Sequence, residues 1–232
     1  MSILYADAQA LAGARKIEAK YKRWIWAIVP FAAVLGFFTH PSMVEALSTI
    51  MLLVIAGVCF LIFTVRRERR QSILKAVSRI WVLIALGFVF LAADETFSIH
   101  EQLDVYIHQI FNLEETALSD RLDDILILGY GIAGLAIMVL HRHEFVSLPA
   151  SFPYLALGFV FLIVMVAIDA ATNRDDVLTA LSFDKDTIKA LSKHFALAEE
   201  IAKMIAEVLF LLGFVRIYGL FVWDKQHPVV KS

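Results

Sequence analysis

A chain of 232 residues that is 60% hydrophobic and only 19% charged, with a mean hydropathy of +0.74, is too apolar for an aqueous domain of this size. Its formal net charge of −2 excludes a polybasic nucleic-acid binder, and the single cysteine, Cys59, excludes an intrachain disulfide. The composition therefore predicts an all-α membrane protein.

Residues 1–23 carry Arg15, Lys16, Lys20, Lys22 and Arg23 without an apolar run, and are expected to lie on the membrane surface as a cytoplasmic amphipathic segment. Six apolar stretches follow: Trp24–Thr39, Met43–Val65, Ile80–Ile99, Ile125–Leu140, Phe152–Ala171 and Ile201–Trp223. Each reaches or approaches the ~20 residues a helix needs to cross the hydrocarbon layer. They make residues 24–223 a six-transmembrane-helix bundle, followed by a cytoplasmic tail over 224–232. Pro41 closes the first stretch, so the first two form a tight hairpin.

Basic residues set the direction. Fourteen Lys and Arg fall in the amino-terminal segment, the 66–79 and 141–151 loops and the tail, against five in the alternate loops. Both termini are thus expected to be cytoplasmic. The opposite side is acidic, and its two long connections, about residues 100–124 and 172–198, have apolar positions at helical spacing and should be partly helical. In the second, Asn173 fits a helix N-cap, and an interfacial helix is expected to run into the last span.

Acids inside apolar stretches are costly, about 2.5–3.5 kcal/mol each at mid-membrane on insertion scales, and mark function. Counting ~1.5 Å of rise per residue, Asp94, Asp124, Asp169 and Glu207 reach one level near the outer surface. On a continuous third helix Asp94, Ser98, Glu101 and His108 share a stripe, with His100 on the other side. Glu200 and Glu207 lie two turns apart on one face of the last helix. Three readings fit these residues. Glu199, Lys203 and Glu207 can form an i, i+4, i+8 ion-pair ladder within one helix. Asp94, His100, Glu101, Asp124, Asp169, Glu200 and Glu207 can hold a divalent metal (Zn, Mn, Fe or Ca), because carboxylates with one or two imidazoles suit such ions. The same acids can also relay protons or cations. His108 and His194 lie on the same side as His100 and can extend a nitrogen ligand set. Arg216 is expected to snorkel to the inner interface, and Met138, Met165 and Met204 to pack.

The Asp94-Glu95…His100-Glu101 unit, with Glu199-Glu200 opening the last span, resembles a D-E-x4-H-E pattern of uncharacterised multi-pass proteins of the bacterial inner membrane. A more distant likeness is to membrane hydrolases of the alkaline ceramidase type, which use Ser, Asp and three His around zinc. That likeness implies roles for Ser98, Asp94 and the outer histidines, although the His-x-x-x-His pair of the last span is missing from residues 201–223. The leading expectation is an outward-facing carboxylate/His pocket that binds a metal and hydrolyses a lipid or amphiphile. Glu101 or Glu200 would take a proton from metal-bound water, with Ser98 beside them. The alternatives are a cation- or proton-coupled transporter or channel, and a non-catalytic subunit of a membrane complex. Membrane lipids are the expected partners, with a homo-oligomer or a membrane-complex partner also open.

Overall fold

In the computed structural model, residues 41–69, 75–111, 122–146, 148–172 and 185–226 are described. Pro41 opens the first described helix, α1 (Pro41–Arg69), at the position where a missing N–H leaves no hydrogen bond unmade. The chain continues through α2 (Lys75–Phe97), α3 (Ile99–Phe111), α4 (Leu122–Leu140), the short α5 (Arg142–Val146), α6 (Phe152–Thr172) and α7 (Lys185–Gln226). Every regular element among the described residues is helical.

Four of these helices are long and apolar enough to cross a membrane, over Met43–Arg67, Arg79–Phe97, Phe152–Ala170 and Leu191–Trp223. The Ile125–Leu140 stretch forms a shorter apolar helix, and Trp24–Thr39, the amino-terminal surface segment and the Asn173 cap lie outside the described residues. The acidic connections are helical in part, as expected: α3 occupies the first. The described part of the second, from Lys185, runs without a break into the last apolar stretch, so that α7 is one helix of 42 residues.

Burial assigns α7 the centre. Seventy-two per cent of its apolar window is buried, against 17% for α6. Phe210, Phe214, Ile217 and Phe221 of α7 interlock with Ile55, Cys59 and Ile62 of α1 and with Trp81 and Ile84 of α2. Trp81 is fully buried and meets Phe145, Phe214 and Phe221 edge-on or tilted. A second cluster joins Met51 of α1 to Met204, Val208 and Leu212, and a third joins Met165 and Val166 of α6 to Ala202. On the outside the pattern is inverted relative to an aqueous protein. Ile50, Leu53, Val54 and Phe60 of α1, and Leu157, Val160 and Ile163 of α6, are exposed, while Asp94, Glu144, Glu207 and Arg216 are buried. Apolar faces turned outward and charges turned inward are what a hydrocarbon solvent selects.

The α6–α7 contact is close because two glycines permit it. A Cβ on Gly158 would stand 2.9 Å from Cε1 of Phe210, and one on Gly213 would stand 2.7 Å from Cδ2 of Leu155. Small residues at such crossings let backbones approach, which is how apolar helices pack where no hydrophobic effect separates them from their solvent.

Candidate functional site

The third apolar stretch does not continue straight through Ile99. Ser98 adopts a positive φ of 45°, ending α2 at Phe97 and turning the chain into α3. A left-handed residue at a helix end is usually glycine, so serine here carries backbone strain. The turn is held by side chains: Gln102 Nε2 donates to the Phe97 carbonyl at 2.5 Å, and Thr96 Oγ1 donates to the Ala92 carbonyl at 2.8 Å.

The same turn overturns the expected stripe. Asp94, Ser98, Glu101 and His108 do not share one continuous helix, and His100 does not point away from Asp94. The His100 backbone N–H donates to Asp94 Oδ1 at 2.9 Å, and its ring Nδ1 lies 2.9 Å from Oδ2. Asp94, 6% exposed, thus caps the start of α3 and grips the imidazole that follows. A carboxylate on Nδ1 fixes the tautomer that leaves Nε2 as the basic nitrogen, and Glu101 Oε1 lies 4.0 Å from it on an exposed side chain. His108 pairs separately with Asp104 at 3.0 Å.

A second polar cluster lies between α1, α2 and the upper part of α7. Lys203 Nζ stands 2.9 Å from Glu95 Oε1 and 3.0 Å from Glu200 Oε2. One turn deeper, Glu207 is 5% exposed and its Oε1 accepts a hydrogen bond from Ser48 Oγ at 2.5 Å. Its Oε2 is buried with no hydrogen-bond partner among the described residues. Thr49 and Thr96 meet through their hydroxyls at 3.3 Å, joining α1 to α2 at the same level.

The predicted acids are therefore divided. Asp94 and His100 form one unit with Glu101 at its rim, and Glu200 and Glu207 belong to another. Asp169 is half-buried on α6, and Asp124 lies on α4, but its side chain lies outside the described residues. Among the described residues no group of three or more His, Cys, Asp or Glu side chains is placed to share a metal ion. The intrahelical ladder is replaced too, because Lys203 reaches Glu95 across the bundle while Glu207 turns to Ser48. Glu95 and Ser48 were not among the predicted site residues. The signal for both was legible: a hydroxyl inside an apolar stretch, and an acid next to one already singled out.

At the other end of the bundle, Arg66 of α1 forms an ion pair with Glu144 of α5, and its guanidinium lies 4.5 Å over the Phe221 ring. Arg216 does not reach the interface freely: it is 8% exposed, with Nη1 3.5 Å from the Tyr154 hydroxyl.

Fold and site together define an all-helical bundle of membrane-crossing length with two buried acidic units near one end. The chain belongs to the family described as Domain of unknown function (DUF8692), whose model matches residues 33–217. No curated protein and no solved structure matches it.

Proposed function

We propose that this chain is a six-span integral membrane protein, with both termini cytoplasmic, that takes up a cation at Glu207 as part of a cation- or proton-coupled carrier. The orientation rests on the excess of Lys and Arg in the loops at one end. One observation carries the activity: a carboxylate buried in the bundle has one oxygen on Ser48 and the other on no partner among the described residues. A buried carboxylate needs compensation from a proton, a cation or a full set of donors. Lys203 sits one turn away but is already shared by Glu95 and Glu200. With three acids around one ammonium, the cluster has room in its charge balance for an incoming cation.

Reconstituted vesicles loaded with a pH-sensitive dye provide the test. Wild-type protein gives cation-driven proton flux and Glu207→Gln abolishes it; flux unchanged in Glu207→Gln removes the carrier reading.

A second reading, a metal-dependent hydrolase of a lipid or amphiphile, is favoured by the Asp94–His100 contact. A carboxylate-held imidazole with Nε2 turned toward Glu101 is the arrangement of a metal ligand with its orienting partner. His100 would then bind Zn, Mn, Fe or Ca, and Glu101 would take the proton of bound water, next to Ser98. Elemental analysis decides it: near-stoichiometric metal that is lost in Asp94→Ala supports this reading, and metal-free wild-type protein removes it.

A further inference from the structure

One face of α1 carries a hydroxyl at one end, a guanidinium at the other and apolar packing between them. Ile55, Cys59, Ile62 and Arg66 all fall within about 40° of Ser48 at 100° per residue, and Arg66 lies about 27 Å from Ser48 by helical rise. The last helix repeats the pattern, with Phe214 and Phe221 one and two heptads beyond Glu207 and within about 40° of it. The two faces meet: Ser48 bonds to Glu207, and Ile55, Cys59 and Ile62 pack in one cluster with Phe214, Ile217 and Phe221.

Access to Glu207 is therefore one-sided. Toward the acidic end, the side chains of Lys203, Glu95 and Glu200 keep 17%, 19% and 24% of their surface. Toward the basic end, Ile55, Cys59, Ile62 and Ile217 are fully enclosed, and the apolar seam runs about 21 Å from Glu207 to Phe221 by helical rise.

The far end of the seam is closed by a ring of contacts drawn from four helices. Arg66 of α1 covers the Phe221 ring of α7 and pairs with Glu144 of α5. Phe145, next to Glu144, meets Trp81 of α2 at 5.5 Å between centroids, and Trp81 meets Phe221 at 6.3 Å. Glu144 sits on a helix of only five residues, in the connection between α4 and α6, so it can leave Arg66 without unwinding a span. Two donors in this ring, Trp81 Nε1 and Arg66 Nε, are buried with no hydrogen-bond partner among the described residues. A permanent seal gains from apolar groups at such positions, whereas a seal that opens to water satisfies both donors in its open state.

We infer that Arg66 and Glu144, with the Phe221, Trp81 and Phe145 rings they hold, are the closed inner gate of the path through Glu207, and that this structure has its cation site open to the acidic end alone. The inference rests on the carrier reading for what passes the gate, and adds the element that must move for the site to reach the basic end.

The sole cysteine supplies the probe, because Cys59 is buried in the seam between Ser48 and Arg66. The full chain in mild detergent is treated with a charged, water-soluble methanethiosulfonate, and labelling is followed by intact-mass spectrometry. A buried thiol reacts through the open population, so wild-type labelling should be slow. In Glu144→Gln it should speed up at least about tenfold, a shift of about 1.4 kcal/mol toward the open state. The charge swap Arg66→Glu with Glu144→Arg should return it toward wild type. Gly158→Ala, which loosens the α6–α7 crossing elsewhere, should stay within about twofold of wild type. Labelling unchanged in Glu144→Gln, or accelerated equally in Gly158→Ala, overturns the inference. If Glu144→Gln does not fold, the double variant Arg66→Gln with Glu144→Gln leaves no unpaired charge between these two, and slow labelling there also overturns it. Proton flux in vesicles separates the two readings. Fast labelling of Glu144→Gln with flux unchanged by Glu207→Gln fails the carrier and not the latch; slow labelling with flux that Glu207→Gln abolishes fails the latch and not the carrier.

Discussion

Replacing Lys203 by methionine removes the one ammonium between Glu95 and Glu200 while keeping most of the side-chain volume. Its Nζ lies 2.9 and 3.0 Å from the two carboxylates. At an effective dielectric constant of about 20, each contact is worth roughly 5–6 kcal/mol of gross Coulomb attraction. Most of that is offset by the desolvation of three charged groups. Removing one partner of a buried ion pair nets about 3–5 kcal/mol. The side chains of Lys203, Glu95 and Glu200 keep 17%, 19% and 24% of their surface, so the lower end applies, about 3 kcal/mol. For a chain of this length that is a fall in Tm of roughly 6–12 °C, read by circular dichroism in detergent micelles. Glu95→Gln in the Lys203→Met background relieves one uncompensated charge, so the pair should couple by about 1 kcal/mol or more. A Lys203→Met protein that melts within about 2 °C of wild type, or shows no coupling to Glu95→Gln, would mean that the cluster is fully hydrated and that Glu207 lies in no shielded site.

Three further outcomes follow from the same geometry. Ser48→Ala should cost about 1.5–3 kcal/mol in the wild type but about half that in Glu207→Gln, since a bond to a charged acceptor is roughly twice as strong as a neutral one; equal losses in paired melts would show that the bond does not depend on the charge. Gly158→Ala should destabilise by about 1–3 kcal/mol through its clash with the Phe210 ring, whereas Gly57→Ala, with open space around it, should be neutral or gain up to about 1 kcal/mol; the two melting curves check this. At the α2–α3 turn, Asp94→Ala should lose about 1–2 kcal/mol of cap energy and Asp94→Asn less, because an amide oxygen still accepts from the His100 N–H; equal losses on thermal unfolding would show that the cap is not the source.

The spans were legible because their signal is one of composition and length: a window apolar enough for hydrocarbon must form its hydrogen bonds internally, whatever its neighbours. That reasoning located the apolar parts of α1, α2 and α6 to within a few residues and the far end of the one in α7 at Trp223, although that stretch begins at Leu191, ten residues before the expected Ile201. It failed at Ser98. Glu-Thr-Phe-Ser-Ile-His contains no glycine or proline, and nothing local marks a left-handed residue there, so the stripe drawn through Asp94 and Glu101 crossed a break in the helix. The partners of Lys203 failed for a related reason. Spacing along one helix favours Glu199 and Glu207, but Glu95, 108 residues earlier in the chain, reaches the ammonium and shares it with Glu200. Periodicity cannot see a contact made by helix packing. Arg216, expected to snorkel, is instead 8% exposed beside Tyr154 of α6, a contact set by the α6–α7 crossing.

The two inward charges of α7 explain why the bundle has polar business at both ends. Glu207 and Arg216 are nine residues apart, which at 100° per residue places them on opposite faces of the helix. Glu207 accordingly meets Ser48 of α1, and Arg216 meets Tyr154 of α6. Their separation along the axis is about 13 Å by helical rise, and at an effective dielectric constant of about 20 the attraction across that distance is only about 1.3 kcal/mol. Neither charge can neutralise the other, so each depends on its own neighbours, Ser48 beside the acid and Tyr154 among those beside the guanidinium. Because both sit on the most deeply buried helix of the fold, a rotation of α7 that relieved one would withdraw the other from its partner.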